Sequence, residues 1–584
     1  MVWPFGPSAS FQAIVSAKRA QRDNAIKAEV AALQADRSLT AEEVAIVSKS
    51  GLEIVKSIQD REFTSTQILK AFIKSAVIAH EEINCITEVL FVDALERAEE
   101  LDDYFASTGE LKGPLHGIPM SLKDSIDVKD YDTTNGSTGR CNKPSTRDSD
   151  IVAFIREAGG IPFVKTNVPQ TLLSFECANP VWGVSLNPHS ANHTPGGSSG
   201  GEAAILAMDG AALGLGSDIG GSLRIPAHYC GIYSLKPGHG RIATSNNSSI
   251  DPGFKNVSAV YGPMGRRVED LEAVARAVIG RRGGDKFYFP APIPYRDVQL
   301  PKKLKFGYYL MDGLVKASPA CKRAVLETVE ALRKGGHECI EFAVPSPARC
   351  TEIFAALTSS DGYQASRLEI GSDPVEPAMF LTLLGPRIWG WARWCSVWIL
   401  NNVLGDDLLA RLIASSRYKD VREFKQWEAH KDSYVREFYE KVWEAYGFDG
   451  IISATQPVPA VPHGACQFLS MLVTSTVLYN IVDSPVGIIP VTRVDPKLDA
   501  LTEEWTVRGE GKGQGSSQVE ARLYNPGGIY DVEAMAGLPV GVQVAGKSWE
   551  EEKVIEMMKV VDGALGERGF GPGSYRKRKE GRPS

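Results

Sequence analysis

The hydrophobic pattern of this chain changes period near residue 115. Before that point apolar positions fall at helical spacing, with Ile68, Leu69, Phe72, Ile73 and Ala76 on one face. Two segments open on capping boxes, Thr40-Ala-Glu-Glu43 and Thr64-Ser-Thr-Gln67, in which side chains close the first turn reciprocally. Phe63 and Ile68 are spaced as a hydrophobic staple around the second box. Residues 10–37 are polar and alanine-rich, which predicts a surface helix or a mobile extension. Beyond residue 115 short apolar runs take over: GIPMSLKD, GIPFVKTN, AALGLGSD and GIYSLKP. They alternate with helical stretches such as 151–158 and 202–208. Strand-like runs return late as GIISAT, VGIIPVT and PVGVQVAG, and residues 320–445 between them read as mainly helical. Residues 493–533 are polar and Gly-rich, which predicts a long surface loop. The alternation points to the α/β class. If the late strands rejoin the first sheet, one large domain results. It would follow an N-terminal helical extension, residues 1–44, and precede a basic tail, residues 566–584.

Composition narrows the function. The chain has 584 residues, 43% hydrophobic and 23% charged, as an ordinary globular protein does. A net charge of −7 argues against a dedicated nucleic-acid binder. The basic end, Arg576-Lys577-Arg578-Lys579, reads as a solvated tail. Nine cysteines form no CxxC pair, and an odd count in so large a chain suits a reducing compartment. The N-terminus lacks the apolar run of a signal peptide, and no stretch reaches the roughly 18 apolar residues of a membrane span. A cytoplasmic location is the expectation.

The candidate chemistry lies in residues 195–224, PGGSSGGEAAILAMDGAALGLGSDIGGSLR. Two Gly-Gly-Ser turns place Ser198 and Ser222 24 residues apart. Glycine lets backbone N–H groups approach a ligand, and a serine in such a turn sets its hydroxyl beside them. The apolar stretch between the turns must be buried, so it is not a flexible linker. A nucleophile with an oxyanion site fits this pattern. Neither GGSSGG nor GEGKGQGSS satisfies the phosphate-binding GxxxxGK[ST] spacing. Gly196-Gly-Ser-Ser-Gly200 does satisfy GxSxG, but loop residues precede it instead of a strand; His228 and His239 are the available bases. A serine can instead be activated by a lysine that burial keeps neutral. Lys123 ends the apolar run PMSLK and would enter the interior.

The segment GGSSGGEAAILAMDGAALGLGSDIGGSLRIPAHYCG resembles the signature of the amidase signature family. The resemblance extends upstream through GPLHGIPMSLKDSIDVK and TNVPQTLLSFECANPVWGVSLNP, and downstream to LPVGVQVAG. It covers roughly residues 45–565, and within the family it is strongest to fungal acetamidase-type amidases and fatty acid amide hydrolase. It implies the family's fold, a large central mixed β-sheet covered by helices on both faces. It implies a Ser–Ser–Lys triad with Ser222 as nucleophile, Ser198 as the bridging residue in a cis peptide, and Lys123 as base. Backbone N–H groups of Ile219, Gly220, Gly221 and Ser222 would face the oxyanion. Leu172, Leu173, Ser174 and Phe175 match the loop that lines the acyl pocket. Ser199, Asp218 and Arg224 would support the oxyanion turn, and Cys177 and Cys230 are read as buried bystanders. The implied reaction is amide hydrolysis to acid and amine or ammonia through an acyl-enzyme. It needs no metal and no cofactor, and its partner is a small-molecule amide, not nucleic acid.

Residues 378–404, AMFLTLLGPRIWGWARWCSVWILNNVL, hold Trp389, Trp391, Trp394 and Trp398. Arg387 and Arg393 are their only charges. Two readings stand: a core or dimer-interface helix, or a peripheral membrane contact of a lipid amide hydrolase. The rival functions are a tRNA amidotransferase subunit and a non-catalytic scaffold. The intact Lys123, Ser198 and Ser222 weigh against the scaffold.

Overall fold

The structure, a computed structural model, describes residues 8–32, 38–283, 291–506 and 515–581. Its strands in chain order are β1 (Ile86–Val89), β2 (Pro119–Lys123), β3 (Ile161–Thr166), β4 (Ala178–Asn179), β5 (Gly183–Val184), β6 (Leu213–Asp218), β7 (Tyr233–Lys236), β8 (Val260–Gly265), β9 (Lys305–Tyr309), β10 (Glu338–Glu341), β11 (Gly450–Ala454), β12 (Val486–Arg493) and β13 (Pro539–Ala545). Eleven of them form one sheet in the order β1-β3-β2-β6-β8-β7-β12-β13-β11-β9-β10. β2 runs parallel to β3 and β6, and β9 parallel to β10 and β11. The joins between these two groups, through β8, β7, β12 and β13, are antiparallel. The late strands β12 and β13 do rejoin the early ones, through the pairing of β12 with β7. Every apolar run expected to be a strand is one. Both capping boxes form, with Thr40 and Thr64 each accepting the N3 backbone N–H.

Three departures have physical reasons. β8 reads VYGPMG and carried no strand signal, because proline and glycine are rare inside sheets. Met264 and Gly265 pair with β7 on one side, and Pro263 lies just past the end of that ladder. Within the Gly-rich 493–533 region a helix, Ser517–Tyr524, buries Val519, Leu523 and Tyr524; residues 507–514 of that region lie outside the described residues. The basic end is docked, although Lys577 and Lys579 stay exposed. Its helix Ser574–Lys579 sends Arg576 to the Ser75 hydroxyl (2.7 Å) and Lys579 to Glu82 (2.6 Å).

All nine cysteines are free, and all but Cys395 are buried. Among the described residues no helix is long and apolar enough to cross a membrane.

The helix Gly200–Ala207 packs tightly onto the exit of β3. A Cβ at Gly201 would lie 2.4 Å from the Asn167 nitrogen and 2.9 Å from the Cys85 carbonyl oxygen, both backbone atoms that cannot swing aside. Gly201→Ala is therefore expected to destabilise the protein by about 1–3 kcal/mol, read as a lower urea midpoint at unchanged slope.

Candidate active site

β2 is buried along its whole length, and its last residue carries Lys123 into the interior. The Lys123 amino group donates to the Ser198 hydroxyl at 2.6 Å and to the Ser217 hydroxyl at 2.8 Å. The Ser217 carbonyl stands at 3.4 Å. Burial brings the Lys123 pKa down to about 7, although Asp218, Cys177 and Glu202 pull the other way. Ser198 follows Gly197 through a cis peptide bond. A Cβ at Gly197 would meet the Ser174 carbonyl oxygen at 2.7 Å, so only glycine admits the 172–175 loop at this distance. Next, Ser199 precedes the helix Gly200–Ala207, and its N–H donates to the Ser222 carbonyl at 3.2 Å. That bond ties the two Gly-Gly-Ser turns together. The Ser199 hydroxyl lies 3.4 Å from both the N–H and the carbonyl of Ser217.

The second turn leaves β6 at Asp218. Its carboxylate accepts the Gly221 N–H (2.9 Å), the Leu223 N–H (3.0 Å) and two nitrogens of Arg224 (2.9 and 3.1 Å). Burial alone would raise the Asp218 pKa; the Arg224 guanidinium overrides it and holds the carboxyl well below its usual range. Arg224 is fully buried and also reaches the Thr476 carbonyl (2.7 Å), Gln543 (3.0 Å) and Asn480 (2.6 Å). The Gly221 N–H, expected with three others to face an oxyanion, is thus engaged by Asp218, because the turn folds back onto its own carboxylate. Ile219, Gly220 and Ser222 take no acceptor for their N–H groups among the described residues. Gly221 has φ +134°, and a Cβ there would lie 2.4 Å from Thr476 Oγ1.

Ser198, Ser222, Ile219, Gly220, Leu172, Leu173, Ser174 and Phe175 line one cavity of about 1310 Å³, larger than the ~300–1,000 Å³ of common ligand pockets. Lys123 stands behind Ser198, and Asp218 and Arg224 lie beneath the turn. Thr171 and Leu172 have φ +55° and +63°, rare for side chains of their kind. Its wall combines apolar side chains, among them Leu381, Leu384, Ile388, Leu412 and Met471, with polar ones, among them Ser125, Asp127, Asn135, Asn246 and Ser248. His228 is not part of the site. Its Nδ1 accepts the Gly541 N–H (2.8 Å) and its Nε2 faces the Val458 carbonyl (3.2 Å), so a histidine-based elbow is ruled out for it.

Two residues of the site went unread in the sequence. Ser217 was legible only as the polar end of an apolar strand. Glu202 follows GGSSGG directly; its carboxyl accepts hydrogen bonds from Ser121 and from Thr166 (2.6 Å), and burial pushes it up to about 8. Cys177 and Cys230 are buried, with thiols pushed up by that burial.

A sequence model of the Amidase family matches residues 67–555. The chain belongs to this family. Acetamidase of Emericella nidulans is 32% identical over 545 residues, covering 90% of this chain and 91% of the relative. Fatty acid amide hydrolase 1 of Caenorhabditis elegans is 31% identical over 555 residues, covering 94% of each. A solved fatty acid amide hydrolase superposes with a TM-score of 0.78 at 31% identity, over 91% of this chain and 87% of that one. This amidase therefore carries its family's mixed-sheet fold and is an enzyme that hydrolyses amides.

The Asp218–Arg224 pair makes one stability prediction for the amidase. Arg224→Met leaves a buried carboxylate unpaired, which costs about 3–5 kcal/mol. The urea midpoint should fall accordingly, and a variant as stable as the parent would contradict it.

Proposed function

We propose that this amidase is a serine hydrolase with Ser222 as nucleophile, Ser198 as proton bridge and Lys123 as base. One contact carries the reading: the Lys123 amino group lies 2.6 Å from the Ser198 hydroxyl, where burial favours its neutral form. Neutral Lys123 takes the proton of Ser198, Ser198 takes that of Ser222, and Ser222 attacks the amide carbonyl. The N–H groups of Ile219, Gly220 and Ser222 receive the oxyanion, each well-placed donor contributing roughly 2.7–4 kcal/mol in the transition state. Ser198 then returns the proton to the departing nitrogen, since an unprotonated amide nitrogen leaves poorly. Water completes the turnover by hydrolysing the acyl-enzyme. Asp218, Arg224 and Ser199 serve as the frame of the turn. Leu172 and Ser174 border the bound amide.

The mixed lining of the cavity favours an amphiphilic amide, with its acyl chain against the apolar side chains and its amine toward the polar ones. Docking at a membrane surface goes with such a substrate, and the tryptophan segment supports it. The helix Gly390–Asn402 leaves Trp391, Trp394 and Trp398 67%, 66% and 49% exposed, with Trp389 beside them at 71%, so this is not a core helix. Arg393 points inward instead, donating to the carbonyls of Gly385, Ile413 and Ser416 at 2.7 Å each. Leu381, Leu384 and Ile388, just before this helix, line the catalytic cavity. An exposed apolar patch of this kind marks an interaction surface. The alternative occupant of that face is a second copy of the chain.

Hydrolysis of primary amides from acetamide through benzamide to oleamide, with Ser222→Ala as blank, tests the chemistry. Wild type should react with a fluorophosphonate at Ser222, Ser222→Ala should neither react nor turn over, and Ser198→Ala should keep a trace of activity. Full turnover by Ser222→Ala would sink the assignment. Because burial lowers the Lys123 pKa to about 7, the base is neutral above that pH and protonated below it. kcat/KM should therefore rise through pH 7 and be lost as pH falls, a limb that Lys123→Ala removes along with activity. For the surface, the expected result is co-sedimentation with phosphatidylcholine liposomes that weakens in Trp391→Ser/Trp398→Ser. A concentration-dependent dimer broken by the same changes would assign the face to self-association.

A further inference from the structure

The first helix, Ala9–Ala32, buries two cations, Lys18 and Arg22, alongside Phe11, Val15 and Ile26. Long charged side chains are seldom buried without a partner. Lys18 has two: Glu88 in β1 at 2.6 Å and Asp132 at 2.9 Å, all three nearly inaccessible to solvent. Asp132 organises what lies beyond. Its carboxylate accepts the N–H groups of Asn142 (2.6 Å) and Lys143 (2.7 Å), and its carbonyl accepts Lys165 Nζ (2.5 Å). Lys165 in turn pairs with Asp124 at 3.1 Å, fully buried on both sides.

Asp124 is the residue after Lys123. Its carbonyl accepts the Asn135 N–H at 3.2 Å, and the Asn135 carbonyl accepts the N–H of Thr171, which leads into the acyl loop, at 3.1 Å. A second route starts from Arg22, whose guanidinium lies 5.3 Å from the Trp182 ring centre. The Trp182 indole donates to Thr134 Oγ1 at 2.9 Å, and Thr134 donates to the Asp124 carboxylate. Both routes end at Asp124, between the lysine turn and the loop that borders the substrate.

We propose that the first helix positions the catalytic lysine and the acyl loop, with Lys18 as the positioning residue acting through Asp132, Lys165 and Asp124. The proposal rests on the reading of Lys123 as base. The physical lever is competition for Lys165. With Lys18 in place, Asp132 has its own cation and Lys165 is free to neutralise Asp124. Without Lys18, Glu88 and Asp132 are buried carboxylates lacking their cation, and the nearest replacement is Lys165. Drawing it toward them loosens Asp124 and the turn that aims Lys123 at Ser198.

The test is kcat per active site in Lys18→Met, with sites counted by fluorophosphonate titration so that unfolded protein drops out. Coupling through a packed network of this kind predicts a roughly 2- to 30-fold fall per titrated site. Lys18→Arg, which keeps the charge, should restore most of it. The effects of Lys18→Met and Asp132→Asn should be non-additive. Arg19→Ala is the control. Arg19 anchors the same helix to the Val181 and Pro180 carbonyls (2.6 and 3.3 Å) without touching Lys18, Asp132, Lys165 or Asp124, so its loss should lower Tm and leave kcat per site unchanged. A wild-type kcat per site in Lys18→Met, with only Tm reduced, overturns the proposal and leaves the helix a mere staple. Should Lys18→Met fail to fold, Lys18→Met/Glu88→Gln removes one of the two orphaned carboxylates, leaves Asp132 to compete for Lys165, and carries the same measurement. A wild-type enzyme inert to the titrant would instead count against the base assignment itself.

Discussion

Two buried lysines sit on neighbouring strands of this sheet, one residue out of step and so on opposite faces, and the difference between them shapes the site. Leu122 of β2 is in register with Lys165 of β3, and Lys123 with Thr166. Lys165 meets the Asp124 carboxylate at 3.1 Å and forms a structural ion pair. Lys123 meets two hydroxyls and a carbonyl, with no carboxylate in contact. Desolvation penalises a buried charge wherever it stands, but only Lys165 has a counter-ion in contact to offset it. Of the two carboxyls that pull on Lys123, Asp218 is held by Arg224, and Glu202 is tied to Ser121 and Thr166 and is itself pushed up to about 8 by burial. Lys123 is thus left without a contacting counter-ion, as the proposed base requires, and the surrounding ion pairs keep other carboxylates occupied.

The rest of the site is arranged around the Lys123 amine. The Ser199–Ser222 backbone bond joins the two serine turns, and Asp218 with Arg224 sets the shape of the second turn from beneath. Arg224 gathers Thr476, Asn480 and Gln543 from the C-terminal half, so a turn near residue 220 depends on strands and helices added some 250 residues later. The pairing of β12 with β7 makes this possible, by bringing the late half of the sheet against the early half. The site is therefore a product of the whole sheet, although the three side chains of the proposed triad come from one stretch of about 100 residues.

Much of this was legible in the sequence, for reasons that differ by element. The buried parallel strands β2, β3 and β6 announce themselves as apolar runs, and Lys123, Ser198 and Ser222 stand in motifs long enough to be read individually. Ser217 and Glu202 were not legible as site residues, because a serine ending a strand and a glutamate opening a helix are both ordinary. Their importance lies in what they touch. Pro263 hid β8, since pattern reading does not know where a neighbouring ladder stops. The tryptophan segment is apolar enough to pass for core, and only the packing of the helix shows that its indoles face outward while Arg393 faces in. The alanine-rich start reads as a surface or mobile piece because it buries only three large apolar side chains, Phe11, Val15 and Ile26, and its other buried side chains are two cations, which carry no hydrophobic signal.

The distribution of sulfur has a practical consequence. Eight of the nine cysteines are buried, and the ninth, Cys395, sits half-exposed among the tryptophans of the helix Gly390–Asn402. Buried thiols are inert, whereas an accessible one reacts. The native chain therefore comes with a single address for a thiol-reactive dye, on the element whose lower edge borders the cavity. A fluorophore placed there would sense changes of polarity at the exposed tryptophan face without any engineering of the protein.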